Sequence, residues 1–215
     1  MAVAPSLLSA DFSCLEREIG AAEKAGADFL HLDVMDGNFV PNITFGPMIV
    51  EAIAKIAKVP LISHLMILNP GNYVEKFVRA GSALVSFHWE ALPSGHDKII
   101  EQIHALDCAA GLAINPDTPL SKVEHLLGGI DCLLIMTVFP GFGGQELIAE
   151  SIAKIGQAAH LKKENGYGFV IEVDGGVKSE NAWRVRQEGA QIIVAGTAVF
   201  KCSDYAKSIS SIRGS

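Results

Sequence analysis

Short, strongly apolar runs alternate along the chain with longer stretches in which apolar residues recur every three or four positions. A short apolar run bounded by turn residues is typical of a buried strand, whereas the longer period predicts an amphipathic helix. We predict eight strands, at residues 3–6, 29–33, 61–66, 84–88, 109–114, 132–136, 169–174 and 192–195. The clearest helical stretches are residues 15–25, 72–80, 97–105, 147–164 and 181–188.

The alternation of strands with helices indicates a parallel sheet. Eight such units fit within 215 residues as one closed barrel, so we expect an α/β protein with a single (β/α)8 TIM barrel. The alternative is an open doubly wound sheet, which would be expected to carry a glycine-rich loop after its first strand. Here Leu-Leu-Ser-Ala-Asp follows that strand at residues 7–11. We therefore treat residues 1–215 as one barrel domain.

Composition and charge narrow the classes of partner. Hydrophobic residues make up 49% of the chain, enough for a barrel core, and the formal net charge of −7 opposes binding to nucleic acid or anionic membranes. No stretch approaches the roughly 20 uninterrupted apolar residues of a membrane helix. The four cysteines, Cys14, Cys108, Cys132 and Cys202, are scattered, so we expect a reduced, cytoplasmic protein.

Several strands carry polar residues on the face that must point into the barrel. Side chains alternate between the two faces of a strand, and the outer face must be apolar because it meets the helices. By this alternation, the following residues should point inward: His31, Asp33 and Met35 of the second strand, Ile62, His64 and Met66 of the third, and Glu172 and Asp174 of the seventh.

Four of these side chains, His31, Asp33, His64 and Asp174, come just before loops at the carboxyl ends of the strands, where barrel enzymes keep their chemistry. A buried carboxylate without a partner is costly, and a divalent cation removes that cost. Two Asp and two His suit Zn²⁺, or else Fe²⁺, Mn²⁺ or Co²⁺. We predict one such ion per chain, with Zn²⁺ expected first. His88 and Glu90 are interpreted as supporting residues, and His96, His104, His125 and His160 as solvated.

Glycines follow each of the last three strands. The segments are Pro-Gly-Phe-Gly-Gly-Gln at residues 140–145, Gly175 and Gly176 with Val177, and Gly196 with Thr197. Loops after the last strands of a barrel commonly bind phosphate, and glycine lets an anion approach the backbone N–H groups. We predict a phosphate site there, which makes the barrel one of the phosphate-binding type. The segment 140–145 is long enough to serve as a lid.

These residues resemble the ribulose-phosphate 3-epimerase family. The most specific segments are His-Leu-Asp-Val-Met-Asp-Gly-Asn-Phe-Val-Pro-Asn at residues 31–42 and the loop at 140–145. Further matching segments lie at residues 4–11, 64–66, 111–116, 136–138, 171–177 and 194–198. Three positions depart from the expected pattern: Ile62 stands where the family usually has Asp, Ser63 is unusual beside it, and Phe139 replaces a polar residue.

The resemblance implies interconversion of ribulose 5-phosphate and xylulose 5-phosphate, a step of the pentose phosphate pathway, in a homo-oligomer. It implies that His31, Asp33, His64 and Asp174 bind the metal ion and that Asp33 and Asp174 form the acid/base pair. The substrate contacts implied are Ser6, His64, Met35, Met66, Met136, Gly141, Phe142, Gly143, Gly144, Gly175, Gly176, Gly196 and Thr197. The alternatives are an allulose 6-phosphate 3-epimerase and a barrel that binds phosphosugars without turnover.

Overall fold

The computed structural model describes residues 1–214 and contains eight parallel strands. They are β1 (Ala2–Pro5), β2 (Leu30–Met35), β3 (Leu61–Met66), β4 (Ser82–His88), β5 (Ala109–Ile114), β6 (Cys132–Met136), β7 (Val170–Asp174) and β8 (Ile192–Ala195). Hydrogen bonding follows the order β1-β8-β7-β6-β5-β4-β3-β2. A parallel bridge from Ser6 to His31, and a 3.0 Å hydrogen bond from the N–H of Asp28 to the carbonyl of Val3, join β1 to β2. The predicted (β/α)8 barrel is confirmed.

Helices cover the outside of the barrel. They are α1 (Leu15–Lys24), α2 (Pro47–Ala54), α3 (Val74–Arg79), α4 (His96–His104), α5 (Glu150–Asn165), α6 (Ala182–Gln187), α7 (Thr197–Phe200) and α8 (Tyr205–Arg213). Between β5 and β6 the chain instead forms two 3₁₀ segments, Leu120–Lys122 and Glu124–Gly129. Among residues 1–214, no helix has both the length and the apolar character needed to cross a membrane.

Three of these helices, α2, α7 and α8, lie outside the predicted stretches. The sequence of α2, Pro-Met-Ile-Val-Glu-Ala-Ile-Ala, is apolar at every position except Glu51, so the face that it buries, with Val50 and Ile53, does not stand out from the rest of the helix. Its start is nevertheless marked by Pro47 directly after Gly46, a favourable first helical position. At α8 the side chain of Asp204 accepts a hydrogen bond from the N–H of Lys207, which caps the helix.

The barrel interior changes character along its axis. At the amino-terminal end it is filled by a small apolar cluster made of Ala4, Ile62, Leu84, Cys132, Ile192 and Val194. Ile62 thus serves as packing for the barrel floor, where it is fully buried. Above it, at the carboxyl ends of the strands, the interior holds His31, Asp33, His64 and Glu172, all buried. The acidic and imidazole side chains of the barrel interior therefore gather toward the carboxyl ends of the strands.

The histidines outside the barrel differ in their exposure to solvent. His104, His125 and His160 are exposed, as expected. The prediction that His96 is solvated is wrong: its side chain is buried, its ring stacks on Trp89 at 5.7 Å between centroids, and its Nε2 lies 2.8 Å from the carbonyl oxygen of Trp89. His96 is the first residue of α4, and its ring lies over the 3₁₀ turn Trp89–Ala91. This contact joins two separate elements, which the sequence does not reveal.

Candidate active site

Four side chains that can ligate a metal ion converge inside the carboxyl-terminal end of the barrel. His31 and Asp33 come from β2, His64 from β3 and Asp174 from the end of β7. One donor atom of each lies within 4.8 Å of the others. The two histidines are completely buried, and Asp33 is nearly so, whereas the side chain of Asp174 is 18% exposed. The cluster thus opens outward on the Asp174 side.

The spacing of these donor atoms suits a small divalent cation. Nε2 of His31 lies 3.4 Å from Oδ1 of Asp33 and 3.4 Å from Nδ1 of His64, which is itself 3.3 Å from Oδ1 of Asp33. Oδ2 of Asp174 is 3.9 Å from His31 Nε2 and 3.8 Å from His64 Nδ1. Tetrahedral ligands about 2.1 Å from a Zn²⁺ ion lie about 3.4 Å from one another. The residues present therefore fit one divalent metal ion.

In each histidine of the cluster, the ring nitrogen that points away from the cluster contacts a second side chain. Nδ1 of His31 lies 3.3 Å from Oε1 of Glu172, a carboxylate that is fully buried. Nε2 of His64 lies 2.8 Å from Nε2 of His88, whose Nδ1 is 3.1 Å from Oε2 of Glu90. These contacts aim the remaining nitrogens, His31 Nε2 and His64 Nδ1, at the centre of the cluster.

The two carboxyl groups of the cluster differ in proton affinity in the protein chain alone. Burial acts to raise the pKa of Asp33, but the positive charge of His31 and hydrogen bonds with His31 and His64 outweigh it and hold the pKa well below its ordinary value. Burial, together with the nearby negative charge of Asp33, raises the pKa of Asp174 to about 7. Burial also lowers the pKa of His64 to about 4. One carboxyl group is therefore ionised while the other is poised to gain or lose a proton near neutral pH.

A cavity lies directly above the cluster. Asp33 and Asp174 line it, and so do Ser6, Met35, Met66 and Met136. The Ser6 hydroxyl donates a hydrogen bond to Oδ2 of Asp33. His31 and His64 do not line this cavity, because both are fully buried beneath its floor. The contact predicted between His64 and the substrate stays a prediction.

The glycine-rich loops form the opposite wall of the same cavity. Gly141, Phe142, Gly143, Gly144, Gly175, Gly176, Gly196 and Thr197 all line it. At Gly176 the backbone has a φ of +65°, and a Cβ there would lie 2.4 Å from the backbone nitrogen of Leu147. At Gly196 a Cβ would lie 2.6 Å from Oγ of Ser9. Glycine at these two positions keeps the wall open and its backbone accessible.

The loop at residues 140–145 is pinned at both ends. The side-chain N–H of Asn42 donates to the carbonyl of Gly141 at 2.9 Å, and the side-chain N–H of Gln145 donates to the carbonyls of Phe139 and Phe142 at 2.8 and 2.9 Å. Phe139 and Phe142 are 50% and 57% exposed. Phe142 is thus an exposed aromatic ring on the loop that lines the cavity, which is compatible with the predicted lid.

Some residues around the cavity and the cluster were given no role from the sequence. Strand alternation pointed Glu172 inward, but its contact with His31 could not be read from one strand alone. Ser9, whose hydroxyl lies under Gly196, belongs to the segment 4–11 that carries the family resemblance, and this was its only signal. Further cavity residues without a prior assignment are Leu8, Val138, Lys178 and Val194, whereas Pro140, Gln145 and Val177 belong to the segments assigned to the phosphate site.

An eight-stranded barrel with an acid–imidazole cluster at the carboxyl ends of its strands places the chain among the (β/α)8-barrel enzymes. The chain belongs to the ribulose-phosphate 3 epimerase family, whose model matches residues 2–200. It is 50% identical to the ribulose-phosphate 3-epimerase of Synechocystis sp. over 99% of this chain and 93% of that protein. The enzyme of the same name from Bacillus subtilis is 49% identical over 99% of this chain and 98% of its own length. The protein is therefore an epimerase, a member of the isomerase class.

Solved structures that resemble the chain are more distant. A 3-hexulose-6-phosphate synthase superposes with a TM-score of 0.73 at 16% identity, covering 99% of this chain and 97% of that one. A mutant tryptophan synthase α-subunit from Pyrococcus furiosus superposes with a TM-score of 0.73 at 14% identity, covering 100% and 98% of the two chains. At these identities the likeness establishes the barrel fold and nothing about the reaction.

Proposed function

We propose that this epimerase inverts carbon 3 of D-ribulose 5-phosphate to give D-xylulose 5-phosphate, and catalyses the reverse reaction. One observation carries the proposal: Asp33 on β2 and Asp174 on β7 reach the floor of a single cavity whose far wall is built from glycine-rich loops. Inversion needs two proton-transfer groups on opposite faces of one carbon. Carboxyl groups on two non-adjacent strands can lie on either side of a bound sugar.

The chemistry follows from the acidity of a carbon next to a carbonyl group. One carboxylate removes the proton from carbon 3, which leaves an enediolate, and the other carboxyl group returns a proton to the opposite face. The Ser6 hydroxyl holds Asp33 in position through Oδ2. Met35, Met66 and Met136 line the cavity with groups that cannot protonate the intermediate and that exclude water from it. Inversion then depends on which carboxyl group delivers the proton.

The cofactor that we propose is one divalent metal ion held by His31, Asp33, His64 and Asp174. When bound, it would supply positive charge beside the negative charge that develops on the substrate oxygens. The donor set of two imidazoles and two carboxylates would suit Zn²⁺, and Fe²⁺, Mn²⁺ and Co²⁺ are the alternatives. Elemental analysis of protein purified without chelator or added metal identifies the ion.

The phosphate group of the substrate would bind along the glycine wall formed by the loops at residues 143–144, 175–176 and 196–197. Exposed backbone N–H groups can hold an anion there although the chain as a whole carries a formal net charge of −7. Binding at a point remote from carbon 3 fixes the sugar over the two carboxyl groups. Inorganic phosphate should therefore act as a competitive inhibitor.

A six-carbon ketose phosphate, such as allulose 6-phosphate, could undergo the same reaction with the same carboxyl groups. Side-by-side measurement of kcat/KM with ribulose 5-phosphate and allulose 6-phosphate decides between the substrates. A barrel that only binds phosphosugars would have no use for two carboxyl groups at the reacting carbon. Isothermal titration that showed binding without proton exchange at carbon 3 would support that reading and overturn ours.

We also propose that the chain forms a homo-oligomer through an apolar surface made of Phe12, Ile43, Phe45, Leu68 and Tyr73. These side chains line two neighbouring grooves that share Phe45, and Ile43 is 75% exposed. Copies that each carry a formal net charge of −7 repel one another, so they can meet at a mainly apolar face, whose two grooves have Asp36 as their one charged lining residue. Light scattering should show Ile43→Asp at a smaller mass than the wild type. Trp183→Asp, which alters a 50% exposed ring on α6, should keep the wild-type mass.

The compartment that we propose is the cytoplasm, and the pathway is the pentose phosphate pathway of carbohydrate metabolism. All four cysteines are free thiols, and Cys108 and Cys132 are buried, which suits a reducing compartment. Cell fractionation followed by an epimerase assay tests the location.

A further inference from the structure

The turn that follows β1 carries two serines on the same side. Ser6 precedes the short 3₁₀ helix Leu7–Ser9, and its hydroxyl accepts a hydrogen bond from the N–H of Leu8 at 3.3 Å. The N–H of Ser9 donates to the carbonyl of Ser6, also at 3.3 Å. A 3₁₀ helix has three residues per turn, so the side chains of Ser6 and Ser9 point in the same direction. Leu7 is fully buried in the core, whereas both serines line the cavity.

The two hydroxyl groups meet different parts of that cavity. Ser6 donates to Oδ2 of Asp33 and so belongs to the cluster of acidic and imidazole side chains. The hydroxyl of Ser9 lies 2.6 Å from the position that a Cβ on Gly196 would occupy, and 3.6 Å from the position of a Cβ on Gly143. Ser9 is therefore placed between two of the glycine-rich loops to which we assign the phosphate group.

The hydroxyl group of Ser9 has no partner in the protein chain itself. The residue is only 9% exposed, and its Oγ makes no hydrogen bond within residues 1–214. A hydroxyl group that is withdrawn from bulk water costs free energy unless it finds a partner. Because the group lies at the cavity wall, a ligand bound in the cavity can supply the missing acceptor.

The charge of the cavity wall makes an anionic acceptor depend on neutral donors. Lys178 is the one lysine or arginine among the residues that line the cavity. Hydroxyl groups and backbone N–H groups must therefore hold much of the negative charge of a phosphate group. A hydrogen bond to a charged acceptor is stronger than one between neutral groups, so a single hydroxyl group at this wall has a measurable effect on binding.

We infer that the Ser9 hydroxyl donates a hydrogen bond to the phosphate group of the substrate and thereby favours phosphorylated over unphosphorylated sugars. The turn after β1 then serves both ends of the bound sugar. Ser6 acts through Asp33 at the reacting carbon, and Ser9 contacts the phosphate group. This inference rests on the proposed function, which places the phosphate group along the glycine-rich loops, and it adds the turn after β1 to that wall as a fourth segment.

The test compares wild type with Ser9→Ala, which removes the hydroxyl group and keeps Cβ. Steady-state assays with ribulose 5-phosphate give KM and kcat, and ³¹P NMR titration with inorganic phosphate gives its Kd. We expect KM and the phosphate Kd to rise together by about 10-fold, while kcat changes less than about threefold, because the contact exists both before and during the reaction. Deuterium exchange at carbon 3 of ribulose, which has no phosphate group, should be as fast as in wild type. Tm should not fall, because the hydroxyl group has no partner in the protein alone.

Ser151→Ala serves as the matched control. Ser151 is buried near the start of α5, and its hydroxyl group also lacks a partner in the described part of the chain, but it is not among the residues that line the cavity. This variant should leave KM and the phosphate Kd unchanged. An unchanged phosphate Kd in Ser9→Ala, or an equal loss of exchange with ribulose, would overturn the inference. If the wild type did not epimerise ribulose 5-phosphate, the proposed function would fail, while the phosphate Kd values would still decide the role of Ser9.

Discussion

Asp174 carries a destabilising charge in the metal-free protein, and its replacement by Asn should reveal the size of that penalty. Burial and the charge of Asp33 raise the pKa of Asp174 from 3.8 to about 7. A difference of this size corresponds to about 4 kcal/mol between the protonated and ionised forms. Because the side chain is 18% exposed, we expect solvent to reduce the effect, to about 2 to 4 kcal/mol above pH 7.

The sign follows from proton binding in the two states. The folded protein holds the Asp174 proton more tightly than the unfolded chain, so this group lowers stability as pH rises from about 4 to about 7 and adds no further change above. Asn cannot ionise and escapes that loss. In chelator, Asp174→Asn should therefore be more stable than wild type by about 2 to 4 kcal/mol at pH 8, but by only about 1 to 1.5 kcal/mol at pH 5.

Urea denaturation followed by circular dichroism at the two pH values measures these differences. The exposed Asp97→Asn is the control and should change stability by less than about 0.5 kcal/mol at both. Added Zn²⁺ should reverse the order, since wild type gains a ligand that Asp174→Asn has weakened. If metal-free Asp174→Asn were no more stable than wild type at pH 8, or equally stabilised at both pH values, the electrostatic reasoning would fail.

Three further substitutions test the cavity. Gly176→Ala, in which Cβ would meet the Leu147 nitrogen at 2.4 Å, should raise KM for ribulose 5-phosphate at least tenfold and lower Tm, whereas Gly168→Ala, with no atom within 4 Å of Cβ, should leave KM unchanged in steady-state assays. Phe142→Ala should keep the wild-type Tm and raise KM, because the ring is 57% exposed on the lid; an unchanged KM would argue against a lid. Asp33→Asn should reduce kcat by at least about 100-fold and lower Zn²⁺ affinity in dye competition; normal turnover would remove Asp33 from the acid/base pair.

The barrel and the cluster of candidate metal ligands could be predicted because they follow from patterns that can be read strand by strand. Alternation on β2, β3 and β7 was enough to turn His31, His64 and Asp174 inward, and closure of the barrel brought them together. Closure itself followed from the count of eight alternating units. Helices α2 and α8 show the limit. In α2 every residue but Glu51 is apolar, and the buried face of α8 includes Ser208 beside Ile209 and Ile212, so neither buried face stands out in the sequence.

Contacts that depend on the relation between elements could not be predicted. The 2.8 Å contact between His64 and His88 depends on the register of β3 on β4, where Ser86 and not His88 lies opposite His64. The anchoring of Glu90 depends on residues 115 and 118, which belong to the loop after another strand. The spacing of residues along the chain carries no information about these distances, and so the supporting residues around the cluster were only partly identified.

The central claim is that two carboxyl groups exchange the hydrogen on carbon 3 of a sugar phosphate at a metal-dependent site. Its most direct test incubates the wild-type protein with ribulose 5-phosphate in deuterium oxide and follows carbon 3 by NMR, with and without chelator. We predict deuterium at carbon 3 of both ribulose 5-phosphate and xylulose 5-phosphate, lost on chelation and restored by Zn²⁺. Conversion without deuterium incorporation, or incorporation that is unaffected by complete metal removal, would contradict the account.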